Sequence, residues 1–269
     1  MAMSRIMVLM LCAMLSSGLI GLAPEVHGQA PTAGSTPPDF SGVYYPVQQG
    51  RGRGAGGRAG NAAQPGVPPA RPTQSAPLSD LSQGRSPDAP SLTPEYMAKW
   101  EIIRKSRMAG SYEYDNVAKC LPPGMPAMMN MAYGMEVMQS KDRITFFSEL
   151  NDAMRRVYLD GRKPTAKILD DPTYAGYSTG HWEGDTLVVE TVALSTKSFI
   201  DGSSPHSEEM TVRERIRFTA PGILEDRITV TDPKALTKPW EVVRTYRKAS
   251  PPNDQLREFA CAEGLAHGK

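Results

Sequence analysis

The stretch Gly176-Tyr177-Ser178-Thr179-Gly180 has the G-x-S-x-G spacing of serine hydrolases, where the serine is a nucleophile held on a strained turn between a strand and a helix. The context here is different. His181-Trp182-Glu183 leads into a Gly184-Asp185 turn, and Thr186 to Ala193 alternates between two apolar faces, so the segment reads as a hairpin and no nucleophile elbow is expected. Glu183 and Asp185 flank that turn, where carboxylates serve turn hydrogen bonds in water. His181 alternates with Trp182, so only one of the two can point inward. Its titration range near neutrality keeps His181 among the candidate proton carriers.

A second constellation lies on the following strands. In Met210 to Phe218 one face reads Met, Val, Glu, Ile, Phe at alternate positions, which puts Glu214 among apolar neighbours. Beyond Pro221-Gly222 the next run places Asp226 with Leu224, Ile228 and Val230. If Phe218 pairs with Leu224, Ile216 faces Asp226 and Glu214 is its diagonal neighbour. Arg244 shares a face with Trp240, Val242 and Tyr246 and could reach these acids. Buried carboxylates need a partner or a raised pKa. The cluster is therefore either a structural Glu-Asp-Arg network or a polar patch orienting a ligand in an apolar pocket. In Met154 to Tyr158, Met154, Arg156 and Tyr158 share one face, while Arg155, Val157 and Leu159 share the other. Tyr158 could donate to a ligand oxygen, or serve as an amphipathic core tyrosine. His206, beside Ser207 and Glu208 in a loop, completes the candidates. The expected ligand-binding set is Tyr158, Glu214, Asp226, Arg244 and Tyr246, and the expected proton carriers are Tyr158, His181, His206 and Glu214.

These residues need a scaffold and a compartment. One positive charge before residue 6, an apolar run from Ile6 to Ala23 and a more polar stretch to Ala30 form a secretory leader, 1–28, with cleavage expected after Gly28. Cleavage after Ala30 and retention as an uncleaved anchor are the rivals. Export leaves Cys120 and Cys261, an even number, which reads as one disulfide closing a loop of well over a hundred residues. A cysteine nucleophile is the weaker alternative. No Cys or His pair has metal-ligand spacing, and no cofactor is expected. A net charge of +1 argues against a nucleic-acid or anionic-membrane surface, so a small-molecule ligand or substrate is the expected partner.

Residues 29–47 hold a lead-in and one short strand. Residues 48–90 are rich in Gly, Pro, Ala, Ser and Arg with hardly any large apolar side chain, and are expected to be a disordered insertion. From 91 to 263 the pattern is one helix, with Thr93 as N-cap, Pro94 first and Tyr96, Trp100 and Ile103 at helical spacing, then a proline- and methionine-rich stretch whose methionines serve core packing or, as the rival reading, a plug or lid, then β-rich runs divided by turn signals. Residues 264–269 are a tail. The last of the runs is "QLREFAC". The expected fold is a mainly antiparallel β-barrel of about eight to ten strands with short links between antiparallel neighbours.

The segments "KCLPPGMP", "MRRVYLDGR", "HWEGDTLVVET", "PHSEEM" and "DPKALTKPW" resemble a family of uncharacterised exported bacterial proteins in which they recur in this order. The resemblance covers roughly Thr93 to Cys261 and brings no activity with it. It implies that an arginine often stands where His181 does here. "DFSGVYY" is similar to the opening strand of calycin-type barrels, with Tyr44 or Tyr45 in place of the usual tryptophan, a likeness of fold alone. Three functions are expected in order: an exported barrel binding a small apolar or aromatic molecule in its interior, a periplasmic lyase, isomerase or hydrolase using acid-base residues in the same cavity, and a structural envelope-associated protein.

Overall fold

Alternating apolar and polar residues, interrupted by Gly, Pro, Asn and Asp, produce nine strands in a computed structural model that describes residues 36–47, 81, 84–85, 88–130 and 132–261. The leader at 1–28, residues 262–269 and most of the 48–90 segment lie outside the described residues. The strands are β1 (Gly42–Pro46), β2 (Met135–Gln139), β3 (Arg143–Ser148), β4 (Met154–Tyr158), β5 (Tyr177–Glu183), β6 (Thr186–Val192), β7 (Thr211–Ala220), β8 (Ile223–Thr231) and β9 (Trp240–Lys248). Each pairs with its neighbour in sequence, and β1 closes the barrel against β9. The expected barrel is thus what forms.

Nine strands impose a condition that eight would not. An odd number cannot alternate direction all the way round a closed sheet, so one neighbouring pair must be parallel. It is β4 and β5, with Val157 opposite Ser178 and Tyr158 opposite Thr179. Antiparallel pairing therefore fails at this one place, because parallel strands need a crossover of about a dozen residues or more, while the expected short links are also absent between β1 and β2 and between β6 and β7. The connection 159–176, which includes the single helical turn α2 (Ala166–Leu169), supplies it. "QLREFAC" is the other correction. It is irregular, since the barrel has closed before it and offers no edge to pair with.

The main helix, α1 (Pro94–Met108), buries Tyr96, Trp100 and Ile103 as its spacing required. Thr93 occupies the N-cap position but does not cap, because its hydroxyl donates to the Lys234 carbonyl at 3.0 Å. The helix sits on the β6–β7 and β8–β9 connections: the Trp100 indole is 3.4 Å from the Ser203 hydroxyl, and Leu92 bridges to Leu236. Both connections leave the same end of the barrel, since β6 and β8 run in the same direction. The described residues 81, 85 and 88 of the Gly/Pro-rich segment contact this helix and β9. The Leu81 carbonyl accepts from Arg104 at 2.7 Å, Arg85 lies over the Trp100 ring, and the Asp88 carbonyl accepts from Trp240 at 2.7 Å. The methionine-rich segment packs into the core: Met125, Met128 and Met129 are buried around a 3-10 turn, Ala127–Asn130. Cys120 and Cys261 stand at disulfide distance, their Cα atoms 5.6 Å apart. No described helix is long and apolar enough to cross a membrane.

Candidate functional site

The register of β7, β8 and β9 brings the two interior acids together as their alternation required. Phe218 pairs with Leu224, Ile216 with Asp226, and Asp226 with Arg244 across the next interface. Glu214 and Asp226 are both fully buried inside the barrel.

The cation that answers Glu214 is Arg155 on β4. Its guanidinium, also fully buried, donates to Oε1 of Glu214 at 2.8 Å and to Oε2 through the other terminal nitrogen. Nε donates to the Ser178 hydroxyl at 3.0 Å, and the second terminal nitrogen also reaches the Thr191 hydroxyl at 3.0 Å. Ser178 and Thr191 face each other across β5 and β6 at 2.8 Å. A buried bidentate pair with its remaining protons satisfied is the arrangement in which low dielectric strengthens attraction enough to offset desolvation. The serine of the G-x-S-x-G stretch is therefore a structural ligand of Arg155 on a strand.

Asp226 has no such answer. Neither of its carboxyl oxygens has an arginine, hydroxyl or backbone donor among the described residues, and the group within its hydrogen-bond reach is the Glu214 carboxylate. Burial, and next the adjacent Glu214 charge, push its pKa well above the ordinary value, so the carboxyl keeps its proton. Arg244 stands opposite on the backbone but forms no ion pair with either acid among the described residues. Its Nε is buried without a partner, and burial lowers its pKa. The Tyr246 hydroxyl donates to the Met129 carbonyl, and burial holds its pKa well above the usual phenol range. The same core holds Tyr44, Ile144, Phe146 and Leu187, each fully buried, and the Arg155 guanidinium lies 5.7 Å from the Phe146 ring.

The proton carriers expected elsewhere are occupied or displaced. His181 is exposed, 3.3 Å from Glu183, which also holds Arg215 at 2.8 Å; Trp182 takes the inward position and packs against Phe40. His206 is buried in its loop, with Nδ1 2.8 Å from the Ser207 carbonyl and Nε2 3.0 Å from the Ser198 hydroxyl. The carbonyl fixes the proton on Nδ1, and burial lowers the pKa, so the ring is a neutral staple. Tyr158 does not join Glu214 and Asp226. The inward face of β4 is the one with Arg155 and Val157, which leaves Met154, Arg156 and Tyr158 on the outer wall.

That outer wall carries a cleft of about 330 Å³. Pro122, Met128, Ala153, Met154 and Ala175 give it an apolar floor and side. Arg156, Tyr158, Thr173, Tyr174 and Tyr177 supply its polar groups. Tyr158 and Tyr177 pack with ring centroids 5.3 Å apart, and Arg162 lies 4.2 Å above the Tyr158 ring while its guanidinium is bound by Asp160 at 2.8 Å. The parallel step builds this cleft, because the crossover returns over the outside of β4 before β5 begins. Tyr174 and Tyr177 were not singled out from the sequence, since nothing in their spacing reveals which strand the crossover returns to. Arg155 and Arg156 were both visible, but which of them faces inward was not.

No family model matches the chain, and no curated protein matches it. Among solved structures it is similar to the fluorescent protein UnaG, in its wild-type form and as a single-residue mutant, at 16% identity and a TM-score of 0.27 in both cases. The similarity covers 51% of this chain and 88% of the mutant or 89% of the wild-type chain. Identity and score at this level leave function untouched.

Proposed function

We propose that this is an exported β-barrel that binds a small, largely apolar molecule, and that the ligand lies in the cleft against β4. The observation that supports this most is the cleft itself. Its volume of about 330 Å³ lies within the range of small-molecule sites, and it combines an apolar lining with a few convergent polar side chains. The interior acids then serve as the frame. Arg155 ties β4 to β5, β6 and β7 through Ser178, Thr191 and Glu214, which fixes the wall on which Arg156 and Tyr158 stand.

One observation favours a second reading, a ligand in the barrel interior: apart from the adjacent Glu214, no described group hydrogen-bonds the buried Asp226 carboxyl, which leaves one of its oxygens unsatisfied. A buried polar group left unsatisfied costs about 1–3 kcal/mol, and a guest or a trapped water would recover it. Native mass spectrometry of the protein purified from its own host separates the two. A co-purified molecule lost in Ala175→Trp and retained in Asp226→Asn belongs to the cleft; the opposite pattern moves the site to the interior. Repeated preparations with no bound molecule count against both. Export is supported by the leader pattern and by the two cysteines at disulfide distance. Cleavage after Gly28 is read from the N-terminal mass of the same material.

A further inference from the structure

The chemistry of the cleft goes further than its volume. Four polar side chains lining it offer hydrogen-bond donors, the guanidinium of Arg156 and the phenols of Tyr158, Tyr174 and Tyr177, while the Thr173 hydroxyl donates to the Gly176 carbonyl at 3.4 Å. No Asp, Glu, Asn, Gln or His lines it, so no side chain is a dedicated acceptor. Arg156 is exposed and makes no hydrogen bond or ion pair with any described residue, whereas its neighbour Arg162 is neutralised by Asp160. The three phenol hydroxyls likewise have no hydrogen-bond partner among the described residues. Phenol donors with no carboxylate, amide or imidazole beside them, around one unpaired cation, are complementary to an oxyanion.

The rest of the lining selects the body that carries the oxyanion. Met128 and Met154 present thioethers, which pack well against ring edges, and Met154 is 43% exposed although it borders a cavity. The paired rings of Tyr158 and Tyr177 add an aromatic wall. Gly176, with φ +65°, brings bare backbone to the cleft, and a Cβ there would meet the Val192 carbonyl at 2.8 Å.

We infer that the cleft binds a small aromatic carboxylate, its ring between Met154 and the tyrosines and its carboxylate on Arg156. The inference rests on the cleft reading above and names the ligand class for that site.

The test is calorimetric titration of the full chain with 1-naphthoate, its neutral isostere 1-naphthamide, and octanoate. It is run on wild type, Arg156→Gln, Arg156→Lys and the cleft-filling Ala175→Trp, each first shown to unfold cooperatively. The expected result is binding of naphthoate that weakens about tenfold or more in Arg156→Gln, since a charge-assisted hydrogen bond is removed. Arg156→Lys should recover part of the loss, and Ala175→Trp should abolish binding. Naphthamide should bind wild type more weakly and be indifferent to Arg156→Gln. Equal binding of naphthoate and naphthamide, both lost in Ala175→Trp, would overturn the anion and leave the cleft standing. Tighter binding of octanoate would overturn the aromatic body. Binding unchanged in Ala175→Trp, or no binding of any of the three, would overturn the cleft reading together with its ligand.

Discussion

Asp226 is the residue at which the interior does not balance. Arg155 and Glu214 cancel each other, so a second ionised carboxylate would leave a net buried negative charge without a donor. Keeping its proton is the cheaper state, and this has a sign. A carboxyl whose folded pKa is raised above its ordinary 3.8 adds most stability below that value. Its contribution falls as pH rises toward the folded pKa, by at most about 1.4 kcal/mol per pH unit. Asp226→Asn removes the titration while keeping the shape, so the two proteins should diverge as pH rises from 4 to 8, with the variant gaining on wild type. Urea unfolding of both across that range cancels every other titrating group, His206 included. Parallel stability curves would mean that Asp226 is not the proton holder. At this scale the sequence was informative where a single polar residue broke an apolar face, as Glu214 and Asp226 do. It was ambiguous at Arg155 and Arg156, because β4 carries an arginine on each face and only the burial of Val157 decides between them.

The strands were legible because period-two alternation and turn residues are local signals, and the β7–β8 register followed from a single tight turn. The β4–β5 step was not, because the direction of a crossover depends on closure of the whole sheet. Its consequences concentrate at Gly176, the residue that turns the crossover into β5. Its φ of +65° lies in the left-handed region, and a Cβ would also meet Leu194 and Thr191 side chains at 2.7 Å. Gly176→Ala should therefore cost roughly 1–2 kcal/mol for backbone conformation and a further ~1–3 for overpacking. The strain falls between β5 and β6, beside the cleft. Denaturant midpoints should show the loss, and hydrogen exchange should show it concentrated at Tyr177 to Thr179. A loss under about 1 kcal/mol would mean that the crossover can settle elsewhere, and that the cleft is less fixed than its geometry implies.

At the scale of the molecule, closure leaves the chain after β9 with no strand to join. That segment is held by side chains instead: the Tyr45 hydroxyl donates to the Gln255 carbonyl at 3.1 Å, Phe259 meets the Tyr133 ring at 5.9 Å, and Cys261 lies against Cys120. A bond between those cysteines does more than fasten the tail. Their sequence separation is 141 residues, and β2 through β9 all lie within the loop. A cross-link of that span removes conformations from the unfolded chain and is worth roughly 5 kcal/mol in the chain-entropy picture, although the native tail contacts are few. The two roles predict different things. If the bond acts on the unfolded state, reduction or Cys261→Ser should lower the melting temperature by roughly 10 °C or more while leaving the native far-ultraviolet signal unchanged. If it only pins the tail, melting should scarcely move and exchange should rise near Gln255 to Phe259 alone. Intact mass decides first whether the bond exists, through a two-hydrogen deficit that reduction restores. Native protein that labels at both thiols would remove the cross-link, and with it the main structural support for an oxidising compartment.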